Sequence, residues 1–150
     1  INLLNLFKKI YKKKIIICIH PLYDIKKISR VYKDFKVFKY RTKEFIKKSF
    51  IVMFYDSSSL VDAIVQKKKI IALESDLYKG KKNLSSLWTD IIPFKTINIS
   101  KKIKFEKTKL IKELDNKISL YDKYLVNFGS NDQAEKGNKK IIRILKERFF

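Results

Sequence analysis

The sequence is poor in several residue types that particular classes of protein require. Its 150 residues include one cysteine, three glycines and two prolines. A single cysteine excludes a disulfide framework and a metal cluster built from cysteines within the chain. So few glycines and prolines are not typical of disordered or low-complexity chains. We expect Cys18, which lies inside an apolar run, to be a small buried apolar residue in a reducing compartment.

Long apolar runs are also missing from the sequence. The longest, around residues 51–55, is far shorter than the ~20 residues that a membrane-spanning helix needs. The first residues do not show the basic, apolar and small-residue regions of a secretory signal peptide. We therefore expect a cytoplasmic protein.

Negative charge is scarce, with 15 acidic residues against 36 basic ones and a formal net charge of +21. A charge of this size suggests an anionic partner, which is a nucleic acid, a membrane surface or a phosphorylated ligand. The lysines are spread along the chain, and the abundance of Lys, Ile, Asn, Phe and Tyr together suggests a general compositional bias. Arginine, which readers of bases and phosphates favour, occurs only four times, so nucleic acid is the least favoured partner. A functional positive surface and a compositional bias both stay open.

Apolar residues make up 45% of the chain, enough for the core of one domain. Five short apolar runs predict strands at residues 14–19, 36–40, 50–55, 69–73 and 96–99. The first, third and fourth runs are continuous, a pattern typical of strands buried on both faces in parallel sheets.

Segments with helical spacing of apolar residues separate and follow these strands. They predict helices at residues 3–11, 24–32, 42–49, 58–67, 84–92, 105–128 and 139–149, with a loop at 129–138. Thr42 is a candidate cap of the third helix, and Ser57 or Ser58 of the fourth. The alternation of strand and helix predicts one α/β domain with a Rossmann-like, doubly wound parallel sheet of about five strands and C-terminal helices.

Ligands of open α/β sheets bind beyond the carboxyl ends of the strands, so the residues that follow each strand are the candidate site. His20 follows the first strand and is the only histidine. One histidine is too few for a zinc site, so we predict no metal there. His20 either caps the next helix or donates a hydrogen bond to a phosphate or sugar oxygen. A Ser-His-Asp triad is disfavoured because no G-x-S-x-G sequence surrounds the serines.

Three serines, Ser57, Ser58 and Ser59, follow the third strand where a helix begins. Free N–H groups at a helix N-terminus and serine hydroxyls together bind phosphate, whereas capping alone needs only one serine. The glycine-rich sequences of NTPases and dinucleotide-binding folds are absent. Glu74 and Asp76, which follow the fourth strand, either contact ribose or sugar hydroxyls or a divalent metal, or are solvated loop carboxylates.

Several of these segments resemble elements of bacterial enzymes that make surface polysaccharides. Residues 15–21 (IIICIHP) resemble their strand with a His-Pro ending. Residues 50–64 (FIVMFYDSSSLVDAI) and 69–73 (KIIAL) resemble a strand, serine turn, helix and strand of the same enzymes, and residues 41–46 (RTKEFI) resemble the helix between the two elements. The families are capsule polysaccharide glycosyltransferases, including polysialyltransferase-like and Kdo-transferase-like enzymes, and CDP-glycerol glycerophosphotransferases.

This resemblance implies the C-terminal half of a GT-B fold. It implies that His20, Ser57, Ser58 and Ser59 bind the phosphates of a CMP- or CDP-linked sugar donor, without a further cofactor. The acceptor would be a glycan or lipid-linked, and the enzyme would lie in the cytoplasm or against the anionic inner membrane. Because the general base usually comes from the N-terminal half, we expect the 150 residues to belong to a longer enzyme and to be inactive alone. The alternative is a basic, non-enzymatic Rossmann-like module that binds nucleic acid or a protein.

Overall fold

The computed structural model describes residues 1–55, 57–78, 94–103 and 105–122. Helices and strands alternate through most of this part of the chain. In order they are α1 (Asn2–Tyr11), β1 (Ile16–Cys18), α2 (Ile25–Val31), β2 (Lys36–Phe38), α3 (Thr42–Lys48), β3 (Ile51–Phe54), α4 (Leu60–Val65), β4 (Lys69–Glu74), a 3₁₀ helix (Asp76–Tyr78), β5 (Lys95–Asn98) and α5 (Lys107–Ile118). The helices and loop predicted at residues 84–92, 129–138 and 139–149 lie outside the described residues, as does the end of the helix predicted at 105–128.

All strand pairs in the described residues are parallel. β1 pairs with β2, and β3, β4 and β5 form a second ladder with β4 in the middle. The predicted parallel α/β architecture is confirmed, and each of the five predicted strands is present within about two residues of its predicted bounds. The strands form ladders of two and three, where the sequence predicted a single sheet.

The middle strand β4 is buried on both faces, as its apolar run predicted. Ile70 and Ala72 contribute to one core cluster and Ile71 to the other, because successive side chains of a strand point to opposite faces. All three side chains are at most 1% exposed. The same prediction is wrong for β1, where Ile16 is 38% exposed.

Helices cover both faces of the three-stranded ladder. α3 and α4 contribute Ile46, Leu60, Ala63 and Ile64 to the cluster that contains Ile70 and Ala72. On the opposite face, α1 and α5 pack around Ile71 through Leu3, Phe7, Leu110 and Leu114. Ion pairs from the starts of β4 and β5 to α5 add to this packing. The result is three layers, helix on sheet on helix. No helix of the described part is long and apolar enough to cross a bilayer.

Two local predictions need correction. Thr42 does not cap α3: it is the first helical residue, and Arg41 is the N-cap, without a side-chain hydrogen bond. The Thr42 side chain instead lies beside the thiol of Cys18. Cys18 is half-buried rather than buried, and this partial burial raises the pKa of its thiol despite the opposing effect of Thr42.

Leu114→Ala should lower the free energy of unfolding by about 2–5 kcal/mol, since it removes a fully buried leucine from the core between α1, α5 and β4. Urea unfolding followed by circular dichroism measures the loss. Leu22→Ala is the matched control, because Leu22 is 89% exposed and its truncation should leave stability nearly unchanged. Equal losses in the two variants would contradict the packing described here.

Candidate functional site

His20 lies in the turn that follows β1, with its side chain exposed. Its carbonyl accepts a hydrogen bond from the N–H of Tyr23, and its Nδ1 accepts one from the N–H of Leu22 at 3.3 Å. Asp24, not His20, caps α2, because the Asp24 carboxylate accepts from the N–H groups of Lys26 and Lys27. When Nδ1 of a neutral imidazole accepts, the proton is on Nε2. The Nε2–H of His20 is thus a donor available to a ligand.

Lys39 places a positive charge beside His20. Cys18 of β1 lies opposite Phe38 of β2, so the residues after each strand are neighbours. The Lys39 ammonium donates to the carbonyl of Pro21 at 2.9 Å, in the turn that begins with His20. An ammonium has three N–H donors, and two remain for an anion. Lys39 was not among the predicted site residues, although it follows the apolar pair at the end of β2 and so lies at the candidate edge.

The turn from β2 to α3 is held by Arg41. Its guanidinium lies 5.4 Å from the ring of Phe38 and 5.0 Å from that of Phe45. It also forms two hydrogen bonds with Glu44, of 2.8 and 2.9 Å. Tyr40, between Lys39 and Arg41, has a left-handed backbone (φ 60°), which is uncommon for an aromatic residue, and it is 79% exposed. Arg41 thus secures the conformation of the turn that carries Lys39.

The serine turn uses one hydroxyl for local structure and leaves two. Ser57 Oγ accepts from the N–H of Ser59 at 3.2 Å. The N-cap of α4 is Ser59, not Ser57 or Ser58 as predicted, and it forms no side-chain cap. The carbonyls of Ser57 and Ser58 accept from the N–H groups of Leu60 and Val61. These N–H groups, expected to be free for a phosphate, are therefore engaged within the turn. The Ser58 and Ser59 hydroxyls are left as donors to a ligand.

Glu74 and Asp76 meet residues that follow β5. Asp76 Oδ1 accepts from Asn98 Nδ2 at 2.8 Å, and the Asp76 N–H donates to Ser100 Oγ at 3.0 Å. The Glu74 carbonyl accepts from the N–H of Ile99, while the Glu74 residue is exposed to solvent. Asp76 therefore closes the loops at the ends of β4 and β5, and Glu74 offers a solvent-facing carboxylate.

The candidate residues form three groups, all at carboxyl ends of parallel strands. His20 lies with Lys39, the serines form a second group, and Glu74 lies near Asp76. Because Phe54 of β3 is opposite Ala72 of β4, the serine turn and Glu74 leave the sheet at the same edge. In the described residues no hydrogen bond or ring contact joins His20 to the serines, and no three metal-ligating side chains come together. The first group suits an anion, and the third suits hydroxyl donors.

Glu44→Gln should flatten the pH dependence of stability between about pH 4.5 and 2. Hydrogen bonds from Arg41 and Lys48 lower the pKa of Glu44 from 4.5 to about 2. Because the folded pKa is depressed, the stabilising contribution of Glu44 is complete above about pH 4.5 and is lost as the pH falls through about 2. Urea unfolding at a series of pH values in low salt measures the slope, and the effect is small because the pair is exposed.

Asp34→Asn is the control for this measurement, since Asp34 is an exposed carboxylate and no ion pair engages it within the described residues. It should keep the wild-type slope. A wild-type slope in Glu44→Gln as well would show that the Arg41–Glu44 contact does not stabilise the turn.

Comparisons with known proteins found no relative of this chain. No protein-family model matches the chain, and the searches of curated proteins and of solved structures found no match either. The function therefore has to be argued from the side chains at the strand ends.

Proposed function

We propose that this chain is the nucleotide-sugar donor-binding domain of a glycosyltransferase of bacterial surface polysaccharide biosynthesis, with a CMP- or CDP-linked donor. The observation that carries the proposal is the hydrogen bond from the Lys39 ammonium to the carbonyl of Pro21, the residue next to His20, whose imidazole is exposed. Two kinds of N–H donor there face solvent at the carboxyl ends of parallel strands, the usual ligand edge of open α/β sheets.

The position of β1 relative to β3 supports a single doubly wound sheet with the order β2-β1-β3-β4-β5. Ile15, just before β1, packs in the same core cluster as Ile51 and Met53 of β3. In that order the direction of winding reverses between β1 and β3. Ligands of such sheets bind at this switch point. His20 and the serine turn would then flank the ligand from its two sides.

The chemistry of these side chains suits a phosphate leaving group. Hydrogen bonds from charged or polarised donors to phosphate oxygens are short and strong. The Lys39 ammonium and the His20 Nε2–H would hold one phosphate, and the hydroxyls of Ser58 and Ser59 would donate to further oxygens. As the bond to the sugar breaks, negative charge grows on the phosphate, and fixed donors stabilise that charge.

The acidic group at β4 and β5 suits the hydroxyl-bearing part of the donor. Glu74 has an exposed carboxylate that would accept from ribose or sugar hydroxyls. Asp76 already accepts from Asn98, which makes it a weaker candidate for such a contact. The general base of the transfer would come from a second domain, so this chain would bind the donor without turning it over.

Calorimetric titration of the chain with CMP, CDP and UDP tests the proposal. We expect saturable binding of a cytidine nucleotide, which His20→Ala and Lys39→Met each weaken by about 10- to 100-fold, the usual effect of losing a hydrogen bond to a charged group. Lys36→Met is the matched control, because it makes the same change at the opposite end of β2 and should leave the affinity unchanged.

Two results would overturn the proposal. If none of the three nucleotides binds at millimolar concentration, the chain is not a donor-binding domain. If a nucleotide binds but His20→Ala, Lys39→Met and Ser58→Ala all keep the wild-type affinity, the site lies elsewhere. A steep loss of affinity with salt would indicate a binder of nucleic acid, which releases counterions at each phosphate contact.

A further inference from the structure

Six lysines lie around the amino ends of β1 and β2. This is the end of the two-stranded ladder that is opposite to His20. We call them the lysine face; they are Lys8, Lys12, Lys13, Lys14, Lys33 and Lys36. Lys36 begins β2 and lies opposite Ile16, the first residue of β1. Only Ile15 separates Ile16 from Lys12, Lys13 and Lys14. Lys8 reaches the same place from α1, because its Nζ lies 5.8 Å from the ring of Phe35 in the loop before β2.

The lysine face has almost no compensating negative charge. All six lysines are exposed, and within the described residues none forms an ion pair with a carboxylate. No acidic residue precedes Asp24, and the Asp24 carboxylate is at the other end of the ladder, where it caps α2. Within the described residues 1–23 and 33–36, Asp34 is the one acidic residue.

The lysines around the starts of β4 and β5 behave differently. Lys69 pairs with Asp115 at 2.6 Å, and Lys95 pairs with Glu113 at 3.0 Å. Lys67, just before β4, pairs with Asp122. Lysine is abundant in both places, and within the described residues Lys67, Lys69 and Lys95 have carboxylate partners, whereas none of the six lysines of the lysine face does. A bias in composition does not explain this difference.

We propose that the lysine face docks the protein on a bilayer that contains anionic phospholipid. Each lysine held near such a surface adds electrostatic attraction without requiring a specific geometry. Arginine is absent from the face, and its aromatic neighbours Tyr11 and Phe35 are half-buried rather than exposed. Single-stranded nucleic acid is bound with exposed aromatic rings, and base edges are read by arginine, so these features favour lipid.

Docking through this face would leave the candidate ligand site open. His20 lies six positions after Lys14, which corresponds to roughly 20 Å along an extended strand. A bilayer against the amino ends of β1 and β2 therefore lies away from His20 and Lys39. The proposal does not depend on the identity of the ligand.

Co-sedimentation of the chain with vesicles tests the docking. We expect binding to phosphatidylcholine vesicles that contain about one third phosphatidylserine, and none to pure phosphatidylcholine. The triple variant Lys13→Glu, Lys14→Glu, Lys36→Glu should lower the partition coefficient by at least about 100-fold. The control makes the same charge change at the carboxyl ends, with Lys26→Glu, Lys27→Glu and Lys101→Glu, and should stay within about tenfold of wild type.

Three outcomes would overturn the proposal. The first two are no binding to anionic vesicles and equal binding to both kinds of vesicle. The third is an equal loss of binding in the two triple variants, because it would show that only the total charge matters. If the chain binds an oligonucleotide but not vesicles, and the first triple variant loses that binding, the lysine face binds nucleic acid instead. Circular dichroism checks that both variants fold. Nucleotide titration of the first variant should give the wild-type affinity, which separates this proposal from that of the donor site.

Discussion

Burial of β4 on both faces is the constraint on which the described structure depends. Ile70, Ile71 and Ala72 are buried almost completely, and this requires helices above and below the strand. A parallel sheet covered in this way has no open face for a ligand. In the three-stranded ladder the strand ends remain accessible, and ligands of such sheets bind at the carboxyl ends.

The carboxyl ends divide by charge between the two ladders. The ends of β1 and β2 carry His20 and Lys39, whereas the end of β4 carries Glu74 and Asp76. A ligand with phosphate at one end and hydroxyl groups at the other would meet complementary groups if it lay across this edge, as the proposed nucleotide sugar does. The serine turn lies between these two groups in chain order. The hydroxyls of Ser58 and Ser59 could donate hydrogen bonds to either part of such a ligand.

The strands were predictable from sequence because each is a short apolar run, and burial selects such runs regardless of the details of packing. The candidate edge followed from the rule that ligands bind at the carboxyl ends. Contacts between distant residues were not predictable in this way. The bond from Lys39 to Pro21 spans 18 positions and that from Asn98 to Asp76 spans 22, and both depend on which strands pair and in what register. Periodicity along the chain carries no information about register between chain segments.

The local errors have the same origin in tertiary contacts. Thr42 had the right residue type for a helix cap, but it is the first helical residue and its side chain lies beside Cys18 instead. Ile16 belongs to a continuous apolar run, yet it stays exposed because nothing in the described structure covers that side of the two-stranded ladder. Propensity and hydrophobicity describe what a residue can do, and the neighbours supplied by the fold decide which of these options is used.

The net charge of +21 shows most clearly why composition alone cannot decide function. α5 brings Glu113 and Asp115 to the starts of β4 and β5, and so neutralises lysines there. α1 has no acidic residue at all. Lysines at its C-terminus are explained by the helix dipole, whose negative end they complement. The three lysines that follow the helix exceed that need, because the effect of the dipole falls off beyond the last turn. Their charge faces solvent and is not balanced by a carboxylate or by the helix dipole. This unbalanced local charge, rather than the net charge of the chain, is the reason to expect an anionic partner surface.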